Sequence, residues 1–225
     1  MVRGRPERGA LFALAIAVLP SPQTLVVDGR LARGEWRTAA AAPPPLGEVQ
    51  VRREPGAVWV LVRTDGETPV HLYRVEGEAL DILHASASLG AARYRTDAGG
   101  VYQLERPFVW RLRDPRLRGA PALDLGEEQR EYLAREHWVA NTTWLGERGV
   151  VEIRLDRVWL EAPGVRWALS FFAGGEQLQH LVHFPSGTGL VDPDLERQLM
   201  TGACPQRLTL AAGEWKSAPG PAPLP

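Results

Sequence analysis

The stretch that decides the fold is Glu48 to Thr64, EVQVRREPGAVWVLVRT. Val49 and Val51 alternate with polar neighbours. After Glu54-Pro55-Gly56, Val58, Val60 and Val62 fall on one face, with Trp59, Leu61 and Arg63 on the other. A two-residue period marks extended chain, because successive side chains of a strand point to opposite faces. Pro55 and Gly56 supply the turn, so the segment predicts a hairpin of Glu48–Arg53 and Ala57–Thr64. Downstream the pattern repeats over Val70–Glu76, Ala79–Ala85 and residues 91–96, 101–104 and 108–112, punctuated by Gly77-Glu78 and Ala98-Gly99-Gly100. Upstream, residues 24–27 read as a short strand ending in Asp28-Gly29, and residues 39–45, rich in Ala and Pro, read as loop.

Residues 124–138 break the alternation. Asp124 and Glu127 have capping-box spacing and Glu131 sits four residues before Arg135, predicting a helix over residues 125–136. Strands resume over residues 150–155, Arg166–Ala173 and residues 179–184. A short helix starts at Asp192 with Pro193 in its first position, and residues 206–211 close the domain. The expected fold is all-β: an antiparallel β-sandwich of the immunoglobulin-like or jelly-roll type with one or two short helices.

The bulk numbers agree. The chain has 225 residues, 44% hydrophobic and 24% charged, enough for one sizeable core. Its 26 basic and 27 acidic residues give a formal net charge of -1, which removes the electrostatic case for nucleic acid as a partner. Arg3, Arg5 and Arg8 precede the apolar run ALFALAIAVL at residues 10–19. That run is too short to span a bilayer but fits the h-region of a signal peptide. The competing reading is a buried first helix. The expected layout is a signal peptide over residues 1–22, a β-sandwich domain over 23–215 and a Pro-rich disordered tail over 216–225. The implied location is periplasmic or extracellular, not integral to the membrane. Cys204 is the single cysteine, so no intramolecular disulfide can form, and a half-buried loop position is expected for it.

Asp28-Gly29-x-Leu31, then Glu35-Trp36 and Ala39, resembles the opening of family 9 carbohydrate-binding modules and their relatives in the DOMON-like sandwich superfamily. The strand around Trp59 with Asp65 after it, and the Glu152-Ile153 pair in a late strand, continue the resemblance. It implies the same sandwich and a carbohydrate ligand. It also implies that structural calcium is compatible with the chain, with Asp65, Asp81 or Asp97 near strand ends as ligands. No dense Asp/Asn/Gly calcium loop is present, so the metal stays unassigned. Asp28, Gly29 and Trp36 read as structural: a turn, and an aromatic plug folded back on the sandwich. A haem sandwich of the dopamine-monooxygenase N-terminal type would need a Met–His axial pair, which Met1 and Met200 do not offer.

Sugar recognition needs a flat aromatic face against the C–H side of a pyranose and planar polar groups for the hydroxyls. Two clusters carry that combination: Phe108-Val109-Trp110-Arg111, and the run from Trp138 through Asn141-Thr142-Thr143 to Trp144. The candidate ligand-binding residues are therefore Trp110, Arg111, Trp138, Asn141 and Trp144. Trp138 and Trp144 are expected to flank a polar loop, while Trp110 and Arg111 alternate on a strand. The competing reading of each of the eight tryptophans is core or rim. His180 and His183 are expected to face opposite ways on a strand, and His71 and His84 have no ligand-like neighbours in sequence, so zinc is not expected. The small, polar run Ala85-Ser86-Ala87-Ser88-Leu89-Gly90 beside His84 suggests a Ser–His pair, but no nucleophile elbow surrounds it. No catalytic residue and no cofactor are assigned. The leading expectation is an exported, non-catalytic domain that binds carbohydrate or a cell-envelope glycan. The rivals are an envelope interaction or structural protein with a degenerate sugar site, and a secreted hydrolase marked by positioned carboxylates or a Ser–His contact in one cleft. Oligomeric state is not readable.

Overall fold

A computed structural model of the chain describes residues 25, 27, 31, 35–36, 40–42, 47–64, 66, 68–86, 88–96, 99–112, 127–145, 148–173 and 180–217; at 40–42, 111–112, 127–130, 143–145 and 148 only the backbone is described. The expected signal peptide, Asp28-Gly29, Asp65, Asp97 and residues 218–225 lie outside the described residues. In chain order the strands are β1 (Ala40–Ala42), β2 (Glu48–Arg53), β3 (Ala57–Thr64), β4 (Val70–Glu76), β5 (Ala79–Ala85), β6 (Ser88–Thr96) and β7 (Tyr102–Leu112), followed by β8 (Trp138–Leu145), β9 (Arg148–Asp156), β10 (Arg166–Ala173), β11 (His180–Phe184), β12 (Arg207–Leu208) and β13 (Lys216–Ser217). Three helices interrupt them: α1 (Glu127–Glu136), α2 (Arg157–Leu160) and α3 (Pro193–Met200).

The strands form two antiparallel sheets. The first runs β1-β2-β3-β9-β8. The second runs β11-β10-β4-β5-β6-β7-β12, and β13 pairs with β10 on the edge it shares with β11. The all-β sandwich read from the alternation is therefore the observed architecture. Between the sheets, Val58, Val60 and Val62 meet Leu72, Leu83, Leu169 and Phe171 in one buried cluster. The second sheet is buried on its outer face too. There Tyr73, Val75, Leu80, Ile82 and Tyr94 pack against Leu190, Leu199 of α3 and Leu208. Covered on both faces, Val70 to Val75 of β4 and Leu80 to Ala85 of β5 are buried without a break, polar side chains included.

Several boundaries differ from the sequence reading, each for a packing reason. Residues 40–42, expected as loop, form the edge strand β1 on β2. Trp138 and Trp144 do not flank a loop: the polar Asn141-Thr142-Thr143 segment is the middle of β8, paired throughout with β9. Two expected strands at 101–104 and 108–112 are one strand, β7, with Pro107 inside it. Pro107 is tolerated because the register shifts there. Ala91 pairs with Val109 and Arg93 with Arg106, so Pro107 and Phe108 oppose Ala92 alone. Of the expected closing strand at 206–211, only β12 pairs as a ladder, and Lys216–Ser217 of the expected tail pair as β13.

Candidate functional site

A single row of side chains crosses six strands on the outer face of the second sheet. The register places His183 of β11 opposite Ser170 of β10, then His71 of β4, His84 of β5, Gly90 of β6 and Trp110 of β7. His71 and His84 lie equidistant from the Gly77-Glu78 turn, so a two-residue hairpin there forces them together. That was the sequence signal for the pair, and reading each histidine by its chain neighbours missed it.

The row is wired by hydrogen bonds. His71 Nε2 lies 2.7 Å from His84 Nδ1, and His84 Nε2 lies 2.8 Å from Ser86 Oγ. Ser86 Oγ also accepts from the Ser88 amide at 3.1 Å and donates to the Ser88 carbonyl at 3.3 Å. His71 Nδ1 is buried and has no partner among the described residues. Neutral imidazole carries one proton, so the chain has a direction. If His71 donates from Nε2, its orphan Nδ1 is a bare lone pair; if it accepts there, the orphan is a buried N–H. Orphaned buried donors are the rarer case, so His71 donates to His84, His84 Nε2–H to Ser86, and Ser86 to the Ser88 carbonyl. Burial, and secondarily the neighbouring His84, hold His71 well below the usual histidine range. Burial alone lowers His84 to about 4. Both rings are neutral near pH 7.

At the far end of the row, buried Glu196 of α3 anchors the helix. It accepts from Tyr73 Oη at 2.8 Å and lies 2.7 Å from His183 Nε2. Ser170 Oγ donates to Tyr73 Oη at 3.2 Å. Burial first, then the Glu196 charge, push the Tyr73 phenol up.

At the near end sits Trp110. Its ring packs against Phe108, with centroids 4.7 Å apart and the planes tilted by 33°, and meets His84 edge-on at 5.0 Å. The six-membered ring occupies the space where a Cβ would stand on Gly90, 2.6 Å from Cε3, and lies against Gly202 just beyond α3. Glycine at both positions lets an indole lie this close to the backbone. With 38% of its surface exposed, Trp110 is the exposed tryptophan among the described side chains.

The other candidates fall elsewhere. Trp138, 1% exposed, is a core residue meeting Tyr132 of α1 edge-on at 5.8 Å. Asn141 is buried, its Nδ2 donating to the Val27 carbonyl at 3.3 Å. The structure does not bring either to Trp110. The side chains of Arg111 and Trp144 lie outside the described residues. Asp81 is no open calcium ligand: both its oxygens are taken by guanidinium groups, from Arg93 at 2.6 and 3.0 Å and from Arg74 at 3.2 Å. Among the described residues no cluster of three metal-ligating side chains occurs. Trp36 is buried over the outer face of the first sheet, and its Nε1 donates to Glu152 Oε1 at 3.2 Å. The opening motif and the late-strand glutamate thus meet as packing. Cys204 is half-buried and accepts from the Phe108 amide through Sγ at 3.3 Å. Among the described residues no helix is long and apolar enough to cross a membrane.

No family model matches the chain, and no curated protein matches it. Among solved structures, it is similar to a family 9 carbohydrate-binding module from Caldicellulosiruptor kristjanssonii in complex with cellotriose. The identity is 10%, the alignment covers 72% of this chain and 80% of that one, and the TM-score is 0.37. The same module in complex with glucose gives 9%, 72%, 81% and 0.37. Likeness at that level assigns neither family nor function to the chain.

Proposed function

We propose that this chain is an exported binding domain whose ligand is a carbohydrate, held against the exposed face of Trp110. The observation that carries the reading is Trp110 itself. Its indole is fixed from below by Gly90, from the side by Phe108 and His84, and at its rim by Gly202, yet it remains open to solvent. A rigid aromatic plane whose position costs no further ordering is what a pyranose needs for its apolar face. The resemblance of the Asp28-to-Ala39 opening to carbohydrate-binding modules supports the same ligand class.

The hydrolase reading has one observation in its favour, the Ser86–His84 contact. The direction of the hydrogen-bonded chain opposes it. A serine nucleophile needs an imidazole nitrogen that accepts its proton, whereas His84 Nε2 already carries one and donates.

Titration of intrinsic fluorescence against a panel of soluble oligosaccharides, cellotriose included, with pull-down on insoluble polysaccharides, tests the reading. A saturable change with one sugar class that Trp110→Ala abolishes, with the fold intact by circular dichroism, is expected. Binding that survives Trp110→Ala, or no response to any glycan, overturns it. Labelling of Ser86 by a fluorophosphonate would revive the hydrolase.

A further inference from the structure

The His71–His84 pair lies beside an exposed tryptophan, with His84 edge-on to Trp110. Two imidazoles bonded nitrogen to nitrogen at 2.7 Å leave no position for an additional proton that keeps every group satisfied. A proton on His84 Nδ1 would set two N–H donors against each other. A proton on His71 Nδ1 keeps the pair bonded but creates a cationic N–H buried with no acceptor among the described residues.

The surroundings offer little to offset such a charge. From β4 the neighbour is Tyr73, whose ring is 6.0 Å from His71 and whose hydroxyl is committed to Glu196 of α3. From β10 it is Ser170, bonded to Tyr73, with His183 of β11 beyond it, bonded to Glu196. From β7 it is Phe108, with centroids 6.0 Å from His71 and 5.9 Å from His84, backed by Cys204 at its amide. The Glu196 carboxylate is already held by Tyr73, His183 and the Leu190 amide. On the remaining side His84 faces Trp110 and Ser86. Relief must come from there, where Trp110 is exposed and Ser86 lies just past the end of β5.

We propose that the His71–His84 pair makes the Trp110 face an acid-sensitive one: a proton entering the pair displaces the indole to admit water, so a ligand gripped near neutral pH is released in acid. The proton resides on the pair, the outward-running hydrogen bonds to Ser86 and Ser88 are broken or reversed, and the movement is confined to Ser86, Ser88 and Trp110. The ligand half of this statement rests on Trp110 being the platform; the coupling of the pair to Trp110 does not.

The test needs no ligand. In full-length protein labelled with 5-fluorotryptophan, the Trp110 signal is assigned by its loss in Trp110→Phe, and the histidine tautomers are read by long-range proton–nitrogen correlation. The expected result is that both rings carry their proton on Nε2 at pH 7.5. The Trp110 signal then shifts in step with protonation of the pair as pH falls toward 4, before the buried Trp138 and Trp167 signals change. His71→Gln with His84→Asn keeps one donor and one acceptor but removes the titrating nitrogens, and its Trp110 signal should stay flat over that range. A pair that titrates without moving Trp110, an Nδ1-protonated tautomer at His84, or the same transition in the double variant overturns the proposal. If the double variant does not fold, the wild-type titration decides on the first two of these outcomes, the coupling to Trp110 and the His84 tautomer. Sugar affinity that fails to appear at any pH would retire the platform reading and leave the coupling standing.

Discussion

Replacing Asp81 by alanine should be among the most damaging single changes in the domain. Its carboxylate lies on the inner face of the second sheet, where Arg93 binds it through Nε at 2.6 Å and Nη2 at 3.0 Å, and Arg74 through Nη1 at 3.2 Å. The Arg74 side chain is 4% exposed. Removing one partner of a buried pair costs about 3–5 kcal/mol, because the other charge stays buried. Arg74 keeps Glu76 at 2.8 Å, the Trp159 carbonyl at 2.9 Å and the Trp159 ring at 4.4 Å. Arg93, partly exposed, can turn to solvent. Those remnants place the cost at the lower end, about 3 kcal/mol, which lowers Tm by roughly 6–12 °C in a domain of this size. Urea unfolding followed by far-ultraviolet circular dichroism measures it, with an unchanged slope showing that the transition stays two-state. Arg74→Met combined with Asp81→Leu should recover most of the loss, since a buried pair exchanged for apolar packing is often near neutral. A cost below about 1 kcal/mol for Asp81→Ala would mean that the network contributes no more than a surface ion pair and refute the reasoning. A calcium chelator should leave wild-type stability unchanged if Asp81 is held as described.

Acid should weaken the fold in a defined window. His84 has its folded pKa lowered from 6.5 to about 4, so the unfolded chain takes up the proton first. Stability is full above pH 6.5 and falls as pH drops toward 4, by about 3 kcal/mol from this ring, with His71 acting in the same direction; denaturant midpoints at stepped pH in wild type and His84→Asn check it. Trp36→Phe removes a donor to buried Glu152 and should cost about 1–2 kcal/mol by the same unfolding assay, without altering the Trp110 signal. Gly90→Ala puts a Cβ 2.6 Å from the Trp110 ring; stability should drop by about 1–3 kcal/mol and collisional quenching by acrylamide should rise as the indole is lifted from the sheet.

The sequence by itself determined the sheet-forming segments and their order. Valines at 49, 51, 58, 60 and 62 with Pro55-Gly56 between them admit one local solution, a hairpin, because side-chain period and turn chemistry are both local properties. Asp192 and Pro193 likewise marked the start of α3, and Asp192 Oδ1 does accept from the Asp194 amide at 2.9 Å. What it left open were the properties that depend on cross-strand neighbours. Residues 101–104 and 108–112 read as two strands until the register shift against Ala92 joined them through Pro107. Trp138 and Trp110 were equivalent as aromatic candidates, and only the packing of Tyr132 of α1 against one and the exposure of the other separated a core residue from an exposed one. His71, His84, Ser170, His183 and Trp110 span more than a hundred positions of chain and became one row only when six strands were laid side by side. Local chemistry fixes which residues extend; which of them touch is decided by sheet order and register, which are satisfied only by the whole fold at once.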